Sequence, residues 1–269
     1  MENNSLHTNR AFLYGDAVFE TIKILDSKIL FLEDHYFRLM SSMRILRMEI
    51  PMDFTLEFFE NQILNAAKLE NLQSSARARI TVFRKDGGFY LPTNNNINYV
   101  IAISNLEKPM YEIASYKYEV DIYKDFFIAK QLISTLKSTN KIINITGSIY
   151  AKENDLDNCI LLNNDKNVAE ALNGNIFMLT GNILVTPPLL DGCLNGIMRK
   201  QILTLAKTIE NIQVIEASVS PFDLQKADEL FITNIITGIQ PITKYRKKEF
   251  TTTFSQNLIT KLNALIRLG

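Results

Sequence analysis

Apolar residues along the chain switch repeatedly between a two-residue rhythm and a rhythm of three to four. That pattern predicts strands mixed with helices and shows no internal repeat. Residues 19–25 read as a strand, and residues 28–31 resume it after a turn. From 33 to 48 the apolar positions Phe37, Met40, Ile45 and Leu46 recur at roughly helical spacing. A second helix is predicted from about 55 to 69, where Leu56, Phe59, Ile63 and Ala67 share a face. Residues 76–83 alternate, which puts Arg77, Arg79 and Thr81 on one side of a strand. Gly87 and Gly88 interrupt it, and 98–103 form another strand. Glu107, Lys108 and Pro109 mark a boundary. They divide a smaller N-terminal domain, 1–108, from a larger C-terminal domain, 118–269, through a linker at about 109–117.

Beyond that boundary, strands are predicted at 119–122 and 128–135, and a helix at about 142–152. Strands at 158–163 and 168–173 flank the polar turn Asn164-Asp165. Those at 176–179 and 183–185 flank Gly181-Asn182 in the same way. Residues 197–209 read as a helix, Ser220-Pro221 as a helix start with proline at its first position, 229–233 as a strand, and 254–268 as a closing amphipathic helix. The expected class is α+β with two domains.

Composition narrows the chemistry. Of 269 residues, 46% are hydrophobic and 22% charged, a globular balance. Lys and Arg number 29, as do Asp and Glu, so no basic excess points to nucleic acid or an anionic membrane. The opening residues are polar, and no apolar run approaches the roughly 18 residues of a spanning helix. Two cysteines, Cys159 and Cys193, make no disulfide framework, and the cytoplasm is the expected location. Only His7 and His35 are histidines, which leaves no HExxH or paired Cys/His metal spacing. GxSxG, GxGxxG and GxxxxGK[ST] are all absent. Any catalysis must use Lys, Tyr, Arg and carboxylates, or a cofactor that they hold.

Four segments offer such groups. The first runs Phe12-Leu13-Tyr14-Gly15-Asp16-Ala17-Val18-Phe19-Glu20-Thr21, with Asp34-His35-Tyr36-Phe37-Arg38-Leu39 after it. Arg38 offers a planar fork of donors and a permanent charge, suited to a phosphate. The second, Ser134 to Lys141, carries Lys137 in Lys-Ser-Thr-Asn after an apolar strand. The third, Val168-Ala169-Glu170, offers a carboxylate. The fourth, Leu194-Asn195-Gly196-Ile197-Met198-Arg199, opens a helix with a glycine, where backbone N–H groups and the helix dipole attract an anion. Taken singly, each has a plainer explanation. Arg38 could lie on a solvated helix face, Lys137 in a turn, Glu170 on the solvent side of a hairpin, and Gly196 in a loop.

Together, in this order, they resemble the class IV aminotransferases. These are fold-type IV enzymes that use pyridoxal 5′-phosphate (PLP) and include 4-amino-4-deoxychorismate lyase and the branched-chain and D-amino-acid aminotransferases. The resemblance spans about residues 12–242 and implies a two-domain D-amino-acid-aminotransferase-like fold. It implies that Lys137 is the catalytic lysine joined covalently to PLP, and that Glu170 faces the pyridine nitrogen and keeps it protonated. It further implies that Arg38 binds the phosphate, Leu194 packs on the ring, and the backbone at Gly196, Ile197 and Met198 holds the phosphate. Asn234 and Ile235, after the strand at 229–233, match a further cofactor-binding position; many aminotransferases carry a threonine where Ile235 stands. Tyr14, Phe19, Arg79 and Tyr90 match the substrate side, with Arg77 on the same strand face as Arg79. Lys141 and Ile142 occupy the stretch where branched-chain enzymes place a tyrosine.

What the resemblance implies is a PLP-dependent enzyme with a small-molecule amino substrate and a homodimeric assembly. Asn-Gly-Ile-Met-Arg at 195–199, the Lys137–Lys141 stretch and Thr233-Asn234 look more like the lyase, which releases pyruvate and 4-aminobenzoate in folate biosynthesis. A branched-chain or D-amino-acid aminotransferase is the alternative, and a non-catalytic binding protein of the same fold a remote one.

Overall fold

A computed structural model of the chain describes residues 6–113 and 116–268. The first residues of the polar N-terminal stretch and two positions of the expected linker therefore lie outside the described residues. The chain divides into two compact units, Met1–Pro109 with Leu136–Asn140, and Met110–Thr135 with Lys141–Gly269.

In the first unit, α1 (Arg10–Tyr14) leads into β1 (Ala17–Leu25) and β2 (Lys28–Ile29), then α2 (Leu32–Ile45), α3 (Leu56–Leu69), β3 (Ser75–Arg84) and β4 (Ile97–Asn105). The strands form an antiparallel sheet in the order β2-β1-β3-β4. Alternation decides its faces. Val18, Ile22, Ile24, Ala76, Ala78, Ile80 and Val82 join Leu39 and Met43 of α2 and Phe59 and Ile63 of α3 in one apolar core. Arg77 and Arg79 stand on the other face, as the strand rhythm predicts. Thr55 caps α3, its hydroxyl accepting the Phe58 N–H at 3.1 Å.

Helix α2 departs from the sequence reading. Its buried residues are His35, Leu39, Ser42 and Met43, while Phe37 and Ile45 are exposed. It also stops at Ile45, and Arg47 takes the left-handed conformation at φ 56°. A polar residue in the buried stripe is invisible to a hydrophobic count, and here His35 is held by a strand residue far away in sequence.

The second unit contains β5 (Glu119–Ile128), α4 (Ile142–Glu153), β6 (Asn158–Asn163), β7 (Val168–Ala171), β8 (Asn175–Thr180), β9 (Ile183–Thr186), α5 (Ile197–Ala206), β10 (Gln213–Glu216), β11 (Glu229–Asn234), β12 (Gly238–Ile242), β13 (Lys244–Tyr245), β14 (Lys248–Glu249) and α6 (Thr253–Leu268). Two five-stranded sheets result, ordered β10-β9-β8-β11-β12 and β14-β13-β5-β6-β7. Their shared core includes Val120, Ile160, Val168, Ile176, Leu230 and Ile242. Phe177 and Phe231, neighbours on β8 and β11, stack with ring centroids 5.1 Å apart.

The strands expected at 119–122 and 128–135 are one strand, β5, followed by a 3₁₀ turn at Leu132–Thr135. Ser220-Pro221 opens no α-helix: the Ser220 hydroxyl accepts the Phe222 N–H at 3.3 Å, and only a 3₁₀ turn, Asp223–Lys226, follows.

Candidate active site

The first unit holds Lys137. Strand β1 has nine residues, but β2 covers only Ile24 and Leu25, so the other end of that edge keeps unpaired backbone groups. The segment Leu136–Asn140 fills it. Phe19 N–H donates to Lys137 O at 2.8 Å, Thr139 N–H donates to Ala17 O at 3.1 Å, and Val18 pairs with Ser138. Lys137 thus packs with the first unit, whereas the sequence reading assigned it to the C-terminal domain, and it follows a 3₁₀ turn rather than a strand. Gly15 permits this approach: at φ 64°, it lies so close to Asn140 that a Cβ would collide with the amide oxygen.

Phe19 is the centre of this part. Its ring lies 4.7 Å from Lys137 Nζ and 3.6 Å from the guanidinium carbon of Arg79. Arg79 Nε donates to Thr81 Oγ1 at 3.3 Å. Burial pushes the Arg79 pKa down, and the charge of Arg77 adds to the effect. Of the two arginines left open by the sequence, Arg79 is the one stacked on Phe19. Tyr14 and Tyr90 meet with ring centroids 5.8 Å apart, and Tyr90 is exposed. Arg10 braces them: its guanidinium lies 4.9 Å from the Tyr14 ring centroid, and it donates to Phe89 O at 2.6 Å.

Arg38 lies on the helix side of the same sheet. Its Nε donates to Glu20 Oε1 at 2.7 Å, and its Nη2 donates to Glu20 Oε2. His35 Nδ1 lies 2.7 Å from Glu20 Oε2. Glu20 and His35 are buried. The resemblance puts Glu20 in a segment that lines the substrate side and gives His35 no role, whereas Glu20 faces the helices. The available signal was a glutamate among the core-facing positions of a strand and two basic residues spaced i, i+3 on the next helix.

The second unit groups the other candidates around Leu194. Glu170, on β7, is buried, and its Oε2 accepts the Leu194 N–H at 2.8 Å. Asn175 Nδ2 donates to Leu194 O at 2.8 Å. Gly196 then opens α5 without a side-chain cap, and Ile197 and Met198 are its first helical residues. Arg199 anchors this turn through Nη2, which donates to Pro187 O at 2.8 Å and to Glu216. At the end of β11, Asn234 Oδ1 accepts the N–H groups of Ile236 and Thr237 at 3.0 and 2.9 Å, closing the turn to β12. The carbonyl of Ile235 accepts the Tyr111 hydroxyl at 2.6 Å. The Asn234 side-chain oxygen therefore serves the turn. Nearby Cys193 is buried, which pushes its thiol pKa up to about 12.

Among the described residues no His, Cys, Asp and Glu group could hold a metal ion, and no helix is long and apolar enough to cross a membrane. Residues 17–245 match the family described as Amino-transferase class IV. The chain belongs to that family. A branched-chain-amino-acid aminotransferase of Pseudomonas aeruginosa is 29% identical over 238 residues, which cover 85% of this chain and 76% of that one. An aminodeoxychorismate lyase of Vibrio harveyi is 24% identical over 237 residues, covering 87% of this chain and 84% of the relative. Among solved structures, the branched-chain aminotransferase of Thermoproteus uzoniensis with norvaline superposes with a TM-score of 0.87 at 21% identity, covering 98% of this chain and 90% of that one. The fold is that of these fold-type IV enzymes, as the sequence resemblance implies.

Proposed function

We propose that this PLP-dependent enzyme of the class IV family carries out the reaction of an aminodeoxychorismate lyase. The residues present fit the cofactor. A glycine begins α5 and no side chain makes a capping hydrogen bond to the first N–H groups of the helix, an arrangement suited to a phosphate. Glu170 is a buried carboxylate whose orientation is fixed by the Leu194 N–H, and a carboxylate so held can keep a pyridine nitrogen protonated. Bound there, PLP supplies an electron sink for charge developing beside the substrate amine.

In this reading Lys137 would hold the cofactor, and its free amine would take the proton from the substrate Cα. Arg38 and the backbone at Gly196, Ile197 and Met198 hold the phosphate, and Leu194 packs on the ring. Asn234 and Ile235 complete the cofactor side through backbone groups. Tyr14, Phe19, Arg79 and Tyr90 form the substrate side, where Arg79 offers a carboxylate-binding guanidinium. Loss of the Cα proton with cleavage of the ring C–O bond would release enolpyruvate, whose methylene carbon takes up a proton to give pyruvate, and the ring would become aromatic as 4-aminobenzoate.

The observation that carries the lyase reading is the stretch from Leu194 to Arg199, Leu-Asn-Gly-Ile-Met-Arg, seated at the start of α5 beside Glu170. The identity to the Pseudomonas aeruginosa enzyme keeps branched-chain transamination as a second reading. A paired assay separates them: release of pyruvate and 4-aminobenzoate from aminodeoxychorismate, against amino transfer from leucine, D-alanine and glutamate to keto acids. Aromatic product that vanishes in Lys137→Ala is expected; transamination without aromatic product refutes the lyase. A homodimer is part of the proposal. Ile142, Ile145 and Ile149 support it, an exposed apolar stripe along α4 at spacings of three and four, and sedimentation of an active monomer would refute it.

A further inference from the structure

Glu20 presents an unusual combination, a carboxylate on the core-facing side of β1 between Val18 and Ile22. A charge so placed is costly unless each oxygen is paired. Here both are. Arg38 reaches the two oxygens through Nε and Nη2, and His35 Nδ1 joins the second oxygen. Burial would raise the Glu20 pKa, but the Arg38 charge and the hydrogen bonds from His35 and Arg38 outweigh it and hold it at about 2. Burial pushes His35 below its ordinary value, which keeps the imidazole neutral. An ionised carboxylate only accepts, so the His35 proton resides on Nδ1. Its Nε2, also buried, has no hydrogen-bond partner among the described residues. The histidine therefore tolerates an unsatisfied acceptor in order to hold one oxygen of Glu20.

The consequence falls on Arg38. A planar guanidinium gripped along its Nε–Nη2 edge by a carboxylate that cannot itself rotate has its plane fixed. The Glu20 and Arg38 charges also cancel, so geometry rather than net charge must supply any selectivity for an anion. We propose that Glu20 and His35 are positioning residues that orient Arg38 for the cofactor phosphate; this rests on the phosphate role assigned to Arg38 above.

The test is titration of the full chain, depleted of cofactor, with PLP and separately with pyridoxal, which lacks the phosphate, followed by visible absorbance. In Glu20→Gln the dissociation constant for PLP is expected to rise about tenfold or more, as loss of a charge-assisted hydrogen bond implies, while that for pyridoxal stays within about twofold. His35→Gln, which leaves the Glu20–Arg38 pair in place, should show a smaller loss of the same kind and serves where Glu20→Gln does not fold. Arg38→Gln should remove the preference for PLP, and adding Glu20→Gln to it should remove nothing more. Equal weakening of both ligands by Glu20→Gln, or weakening of neither, overturns the proposal. If Arg38→Gln itself leaves the preference intact, the phosphate role of Arg38 has failed and the positioning role fails with it. If Arg38→Gln removes the preference but the Glu20 and His35 variants do not, only the positioning role has failed.

Discussion

Replacing Gly196 with alanine adds one methyl group, and the structure says where it goes. A Cβ at this position would overlap Oδ1 of Asn175 and lie 3.2 Å from its Cγ. The backbone itself is no obstacle, because φ −73° and ψ 137° are open to any residue. Asn175 is buried at 3% exposure, and its Nδ2 donates to the Leu194 carbonyl at 2.8 Å, so it cannot yield without breaking that bond. Losing a buried hydrogen bond costs about 1–3 kcal/mol, and crowding in a packed site adds about 1 kcal/mol or more. Gly196→Ala should therefore destabilise the protein by about 2–4 kcal/mol, read as a lower urea midpoint at unchanged slope. In an Asn175→Ala background the obstacle is gone, and the same substitution should cost less than about 1 kcal/mol. Strict additivity of the two substitutions, or a Gly196→Ala protein as stable as the parent, would refute the reasoning. The cost reaches the candidate cofactor site as well, since Leu194, freed from Asn175, is the residue whose N–H orients Glu170.

Acid stability should track Glu20. Its pKa is held at about 2 in the folded chain against an ordinary 4.5, so its contribution is complete above the higher value and is lost as pH falls toward the lower. That contribution is about 3 kcal/mol, and the parent should lose stability between about pH 5 and pH 3 more steeply than Glu20→Gln in denaturant titrations; parallel curves would contradict the pairing. Glu229, buried on β11, accepts the N–H groups of Phe254 and Ser255 at 2.7 and 3.0 Å and the Ser255 hydroxyl at 2.9 Å, thereby capping α6 from a neighbouring strand. Glu229→Ala should cost about 2–4 kcal/mol and Ser255→Ala about 1 kcal/mol by chemical denaturation, and a Glu229→Ala protein within about 0.5 kcal/mol of the parent would dismiss the cap.

The local rhythm of side chains was enough for most elements. Strand alternation from Ala76 to Val82 already separated the core face from the face of Arg77 and Arg79, because a period of two leaves no choice once one face is apolar. The glycine opening α5 and the carboxylate of Glu170 were likewise visible, as both belong to short stretches whose chemistry is written in consecutive residues. Residues 128–135 read as a strand in sequence because a short apolar run without period does not distinguish a strand from a turn. The 3₁₀ turn there delivers Lys137 to the open edge of β1, a pairing between residues far apart in sequence. Long-range partners also decided α2. Its buried side holds His35 against Glu20, and Phe37 faces outward although it is the more apolar residue. The sequence by itself determined which residues carry charge, which carry apolar surface, and with what period. Tertiary structure alone decided which charges meet, since a buried carboxylate is tolerable only where a packed helix brings its partners within hydrogen-bonding distance.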